Sequence, residues 1–369
     1  MSTSLYGLRG NEQKPTYDPS VRRDLARALL LRAPPPPPLA LLPLPDTTNP
    51  PKSDQITQWG AQVTPDGVLQ EYPRPQMTRP AATWKNVNGL WEFQLGTGFD
   101  EAPPFGVTLN QTILVPFPLE SCLSGAFAWP AYSKWLWYRL LFDAPFSAGS
   151  TLLHFGAVDW NTSAYVNGIY MGNHLGGYDG FSFDVSSALK PTGNELIVAV
   201  YDPSDSGYQV EGKQRVSAIH SPGGDTYTPT SGIWQTVWME NVPSAISISS
   251  LAIRADMTTL HLTVSTAGGV AGSVAGSISF GGAAVTSFSG AVGAQIDVPI
   301  PNPQLWALGA PNLYDLSITA TAAGGGASDT VGSYFGMRAV STTNFTTPPV
   351  PPTGARVGWD NSGGDMPCV

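Results

Sequence analysis

From about residue 83 the chain is a succession of short runs rich in aromatic and β-branched residues, cut apart by Gly, Pro, Asn and Asp. "NGLWEFQL" (88–95), "WLWYRLLF" (135–142), "TLLHFGAV" (151–158), "TSAYVNGIYMG" (162–172), "NELIVAVYD" (194–202) and "IWQTVWME" (233–240) are strand-length segments. Their spacing predicts an all-β sandwich, because such residues fit a pleated, half-buried surface and the intervening residues turn the chain. Asn167-Gly168 lies between "AYV" and "IYM". A type I′ turn needs positive φ at both central residues, so this pair predicts a hairpin. Gly176-Gly177 then lets the chain turn sharply, and "FSFDVSSAL" predicts a further strand, with Asp184 or Ser186 starting a short helical turn.

Outside this region the character changes. Residues 1–54 contain "VRRDLARALLLRAPPPPPLALLPLP", where the proline run ends any short basic helix and favours polyproline II, so a disordered leader is expected. Residues 341–369 are proline-rich and polar, and a disordered tail is expected there. The formal net charge of -9 and the lack of clustered Lys and Arg argue against binding nucleic acid, whose phosphates need such clusters. No apolar run approaches the roughly 18 residues of a membrane-spanning helix, so no membrane partner is expected. The only two cysteines, Cys122 and Cys368, are far apart and predict no disulfide framework. His154, His220 and His261 lack metal-ligand spacing, and "GGYDG" does not lie between a strand and a helix, so neither a metal nor a cofactor is expected.

A set of motifs in fixed order carries a family resemblance. "EYPRPQMTR" (71–79), "NVNGLWEF" (86–93), "VPFPLES" (115–121), "WYR" (137–139), "LLHFGAVDWNTSAYVNG" (152–168), "HLGGYDGFSFDV" (174–185), "YDPSDSGYQVEGKQ" (201–214) and "TSGIWQTVWME" (230–240) together resemble the N-terminal sugar-binding domain of family 2 glycoside hydrolases. That family comprises β-galactosidases, β-glucuronidases and β-mannosidases. "PQLWALGAPNLYDLSI" and "YFGMR" resemble its second domain. The resemblance implies a jelly-roll, galactose-binding-like β-sandwich over 55–242 and an immunoglobulin-like sandwich of six or seven strands over 243–340. The Gly, Ala and Ser in the middle of the latter suggest a thin core.

The resemblance further implies that chemistry resides on a TIM barrel, which supplies two glutamates about 5–5.5 Å apart as acid/base and nucleophile. In this sequence Glu240 is the last glutamate, and after Arg338 no alternating αβ pattern follows. The expectation is therefore a family 2 chain without its catalytic barrel and without activity alone; no catalytic residue is assigned. The alternative is a stand-alone carbohydrate-binding module, or one that docks to a barrel-containing homologue.

For sugar binding, the resemblance points to Asp205 in "DPSDSGYQ", matching a position where an Asp touches sugar hydroxyls; the competing reading is a loop Asp closing an Asx turn. Glu120 in "PFPLES" sits where the family's first loop nears the sugar. His174 and Tyr178 flank the double glycine, either touching ligand or holding the loop together. Of the tryptophans, Trp91, Trp137, Trp160, Trp234 and Trp238 are expected in core or interface packing, and Trp129 and Trp135 are the candidates for open rings that stack on a β-glycoside, a weak carbohydrate ligand.

Overall fold

The computed structural model describes residues 57–98, 101–126, 134–219 and 223–339. The leader, the tail, Trp129 and His220 lie outside the described residues. Every sheet is antiparallel, and no helix among the described residues exceeds a single 3₁₀ turn.

Twelve strands form the first sandwich: β1 (Trp84–Asn86), β2 (Gly89–Leu95), β3 (Gln111–Val115), β4 (Trp135–Phe142), β5 (Ser150–Phe155), β6 (Val158–Asp159), β7 (Asn161–Val166), β8 (Ile169–Leu175), β9 (Phe181–Asp184), β10 (Asn194–Tyr201), β11 (Gly232–Ile233) and β12 (Val237–Val242). Six make a sheet in the order β3-β2-β4-β10-β7-β8, four make the opposing sheet β1-β12-β5-β9, and β11 pairs with β6. Period-two burial sets the inner faces. In β2, Trp91 and Phe93 point inward while Leu90 and Glu92 do not. Trp91, Phe93, Tyr138, Leu153, Phe155, Leu196, Val198 and Met239 then close a core between the sheets.

The expected hairpin forms at Asn167-Gly168, with φ of 51° and 81°. Asn167 does more than turn the chain: its side-chain amide donates to the Ala188 carbonyl at 2.7 Å and to Asn194 at 2.8 Å. Asp184 accepts the Ser186 amide at 3.0 Å just ahead of the short turn Ser186–Ala188, whose N-cap position is Val185. Two runs divide where the sequence shows no break. "TLLHFGAV" splits into β5 and β6, and "IWQTVWME" into β11 and β12, at a step where Gln235 lies against Gly156.

Seven strands form the second sandwich: β13 (Ile248–Ala255), β14 (Thr259–Thr266), β15 (Gly272–Phe280), β16 (Ala283–Ala291), β17 (Gln295–Pro299), β18 (Tyr314–Ala322) and β19 (Ser328–Phe335). The sheets are β13-β14-β17 and β16-β15-β18-β19. The Gly-rich middle is filled from its neighbour. A Cβ on Gly276 would lie 2.3 Å from Phe288, so the missing side chain gives the Phe288 ring its place. Val274 and Ile278, on either side, are buried in the core.

Residues 72–79 strap the two sandwiches together. Met77 enters the second core, and Thr78 exchanges two backbone hydrogen bonds with Gly332 of β19, each 2.8 Å. Arg79, 7% exposed, donates to Glu240 of β12 at 3.0 Å, to Asp329 of β19 at 2.6 Å and to the Ile248 carbonyl at 3.1 Å. Asp329 in turn accepts the Ile248 amide at 2.7 Å. Glu240, fully buried, also accepts from Arg74 at 2.5 and 2.6 Å, from the Trp238 indole at 3.1 Å and from the Tyr72 hydroxyl.

Candidate functional site

The loops at one end of the first sandwich gather the sequence-predicted residues around residues 202–232. Asp205 is half-buried, and its Oδ2 accepts the Val216 amide at 3.2 Å across the loop. It lines a cleft of about 220 Å³ with Lys134, Pro203, Ser204, Ser206 and Val216. The Asx geometry considered for Asp205 belongs instead to Asp202, whose Oδ1 accepts the Ser204 amide two residues on at 2.6 Å.

Glu120 does not line that cleft. It is 4% exposed, and its Oε2 accepts the Ser231 amide at 2.9 Å while the Leu119 amide donates to the Ser231 carbonyl at 3.3 Å. Tyr178 is half-exposed and edge-on to Trp234, with ring centroids 6.3 Å apart. The Trp234 indole donates to the Gly177 carbonyl at 2.8 Å, which ties the double-glycine turn to β11 and β12. His174 stacks on Phe181 at 4.1 Å with its Nε2 3.5 Å from Asp179, a loop-holding arrangement. Gly177 is required by closeness: a Cβ there would sit 2.6 Å from Asp159.

Two carboxyl groups that sequence reasoning did not select complete the arrangement. Asp159 and Asp202 are buried, and with Glu120 each keeps one buried oxygen, Asp159 Oδ1, Asp202 Oδ2 and Glu120 Oε1, without a hydrogen-bond partner. Burial pushes Glu120 up to about 8, partly offset by Ser231 and reinforced by Asp202. Burial and the neighbouring Asp159 raise Asp202 to about 7. Burial raises Asp159 to about 6 against the amide of Gln214. The signal available in sequence was the isolation of Asp159 and Asp202 among apolar strand residues, in "GAVDW" and "IVAVYD".

Of the tryptophans, Trp91, Trp137 and Trp238 are buried and Trp160 and Trp234 half-buried. Trp135, expected to be open, is half-buried and packs on Tyr201 at 4.6 Å. The second cysteine, Cys368, lies outside the described residues, and the expectation based on cysteine spacing falls there. Among the described residues no group of three or more His, Cys, Asp or Glu is placed to hold a metal ion, and no helix is long and apolar enough to cross a membrane.

A jelly-roll sandwich joined to an immunoglobulin-like sandwich defines an all-β, two-sandwich class of protein. Residues 125–243 match the family model described as glycosyl hydrolases family 2, sugar binding domain, and residues 249–338 match that of glycosyl hydrolases family 2. The chain belongs to glycoside hydrolase family 2. A β-galactosidase of Enterobacter cloacae is 24% identical over 317 residues, covering 76% of this chain and 30% of that protein. One from Bacteroides ovatus is 25% identical over 258 residues, covering 63% of this chain and 29% of that protein. In fold, the chain is similar to the β-glucuronidase of Bifidobacterium dentium solved with coumarin-3-O-glucuronide, with a TM-score of 0.56 and 23% identity over 72% of this chain and 50% of that one. The chain thus spans less than a third of these curated relatives.

Proposed function

We propose that this chain is the sugar-gripping portion of a family 2 glycosidase, holding the terminal residue of a β-glycoside at the Asp205 loop without itself cleaving the glycosidic bond. The observation that supports this most is the state of Asp205. One oxygen is braced by the Val216 amide in the wall of an open cleft, and among the described residues Oδ1 has no hydrogen-bond partner. A carboxylate so held is a pre-organised acceptor for sugar hydroxyls. Retaining hydrolysis needs a second carboxyl group about 5–5.5 Å away across the bond to be cut. Asp202, which shares the cleft, is 1% exposed, and Glu120 is buried, so neither is open to a glycoside.

Asp205→Ala is expected to weaken binding of a β-glycoside by about 10- to 100-fold, the range for losing hydrogen bonds to a charged group. Calorimetric or NMR titration of the purified chain checks this, and unchanged affinity would refute the assignment. The same preparation is expected to show no turnover of aryl β-glycosides; turnover that survives Asp205→Ala together with Glu120→Ala would place chemistry elsewhere.

A further inference from the structure

We propose that residues 203–219 and 223–231, the described residues of the segment carrying Asp205, are latched to the end of the first sandwich by protons held on Glu120, Asp159 and Asp202, so that the sugar-gripping surface loosens as the solution becomes alkaline. This deepens the sugar-binding reading and rests on it for its functional consequence, although the latch itself is a property of the chain without ligand.

The three carboxyl groups clamp the segment at its beginning, middle and end. Asp202 holds the Ser204 amide at 2.6 Å. Asp159 holds the Gln214 side-chain amide at 2.9 Å, and the Gln214 oxygen accepts the Thr230 amide at 2.8 Å. Glu120 holds the Ser231 amide at 2.9 Å. Each clamp uses one oxygen and leaves the other buried without a well-aligned partner, and the Ser231 side chain, near both Glu120 and Asp202, offsets their burial only in part. A neutral carboxyl group tolerates that environment far better than a carboxylate, whose desolvation goes uncompensated.

The surroundings offer little counter-charge. Glu120 is faced by Tyr138, Asp202 and Ser231, and Asp202 by Asp159, Ser231 and Lys134. Lys134 is exposed and its ammonium is engaged by Ser206. Asp159 is faced by Gln214 and Tyr178, and Tyr178 also faces Tyr227 and Glu211. Ionisation is therefore relieved by admitting water, and the element that moves most easily is the segment itself. No residue from 206 to 213 is buried, with Tyr208 fully exposed and Val210 75% exposed, while Ala218 and Ile219 anchor the centre of the segment.

The raised acidities of Glu120, Asp202 and Asp159, about 8, 7 and 6, give the direction. A carboxyl group whose folded pKa exceeds the unfolded value of roughly 4 contributes its full stability below that value. The contribution is then lost as pH climbs through the folded values.

Hydrogen–deuterium exchange of the whole chain, corrected for intrinsic chemical rates and read against β18, tests the latch without any sugar. Protection of 203–231 is expected to fall by about 10-fold or more between about pH 5.5 and 8.5, with β18 unchanged. The Glu120→Gln/Asp202→Asn variant is expected to show a much smaller fall than the wild type, because only Asp159 still titrates in that range. Equal wild-type protection at both, or the same loss in the variant, overturns the proposal. If the double variant does not fold, carboxyl ¹³C titration of the wild type decides: pKa values near 4 for all three groups overturn it, and values well above 4 support it. Glycoside affinity of the wild type is expected to fall about 10-fold over the same range. A latch seen by exchange with no glycoside binding at either pH would sink the sugar-binding reading and leave the latch standing.

Discussion

Glu240→Ala is expected to destabilise the protein by about 3–5 kcal/mol, the cost of breaking a buried ion pair from one side. Glu240 is 0% exposed and receives Arg74, Arg79, Tyr72 and Trp238. Truncation leaves the Arg79 guanidinium, itself 7% exposed, with Asp329 as its remaining carboxylate. Because Arg79 joins β12 of one sandwich to β19 and the Ile248 carbonyl of the other, the loss should also reduce the cooperativity between them. Urea denaturation followed by tryptophan fluorescence and far-ultraviolet circular dichroism measures both effects. A change under about 1 kcal/mol, the range of exposed ion pairs, would mean that the cluster is solvated in solution.

This cluster and the Asp205 latch respond to pH in opposite senses. Burial tends to raise the Glu240 pKa, but His154, Arg74 and Tyr72 outweigh it and hold the carboxyl group well below the usual carboxylate range. A depressed pKa contributes stability above the unfolded value, about 4.3, and that stability is lost as pH falls toward the folded value. Glu120, Asp202 and Asp159 lose theirs as pH rises through about 6 to 8. The stability contributed by these four groups should therefore be greatest near about pH 4, close to their unfolded values, and should fall as pH moves away on either side.

What sequence reveals here follows interaction range. β4 coincides with "WLWYRLLF", and the turn at Asn167-Gly168 forms where dihedral preference puts it, because both depend on neighbours a few residues away. The double role of Asp205 stayed open because its partner, Val216, is eleven residues distant, while the nearby Asp202 made the local turn. Glu120 read as a residue of the loop that nears the sugar in "PFPLES", yet it is buried and accepts the amide of Ser231, 111 residues along the chain. The Arg79 partners lie 161 and 250 residues away, beyond any periodicity. Family motifs carried part of this long-range information by keeping "EYPRPQMTR" and "TSGIWQTVWME" together, although nothing in the letters says that one supplies the arginines and the other the carboxylate.

Gly232→Ala should cost about 3 kcal/mol, by two separable mechanisms. The residue has φ of 81°, a left-handed conformation that costs a side-chain-bearing residue about 1–2 kcal/mol. Its new Cβ would also lie 2.0 Å from the Tyr138 hydroxyl oxygen and 3.1 Å from the ring carbon that bears it. Tyr138 has no room to retreat, being fully buried edge-on to Phe93 at 5.2 Å, with its hydroxyl accepting the Ile233 amide at 3.3 Å. Overpacking of that kind adds about 1–3 kcal/mol. Gly168→Ala provides the comparison, since Gly168 has the same φ of 81° with nothing within 4 Å of an added Cβ. It should show the conformational cost alone, about 1 kcal/mol. Combining Gly232→Ala with Tyr138→Phe removes the closest clashing atom and should recover about 1 kcal/mol in a double-mutant cycle of urea unfolding free energies. Equal losses at Gly168 and Gly232, with no coupling to Tyr138, would mean that β11 has space to shift. In that case Ser231, one residue before Gly232, would not be held rigidly against Glu120, and the end of the latch would be looser than the packing of Tyr138 requires.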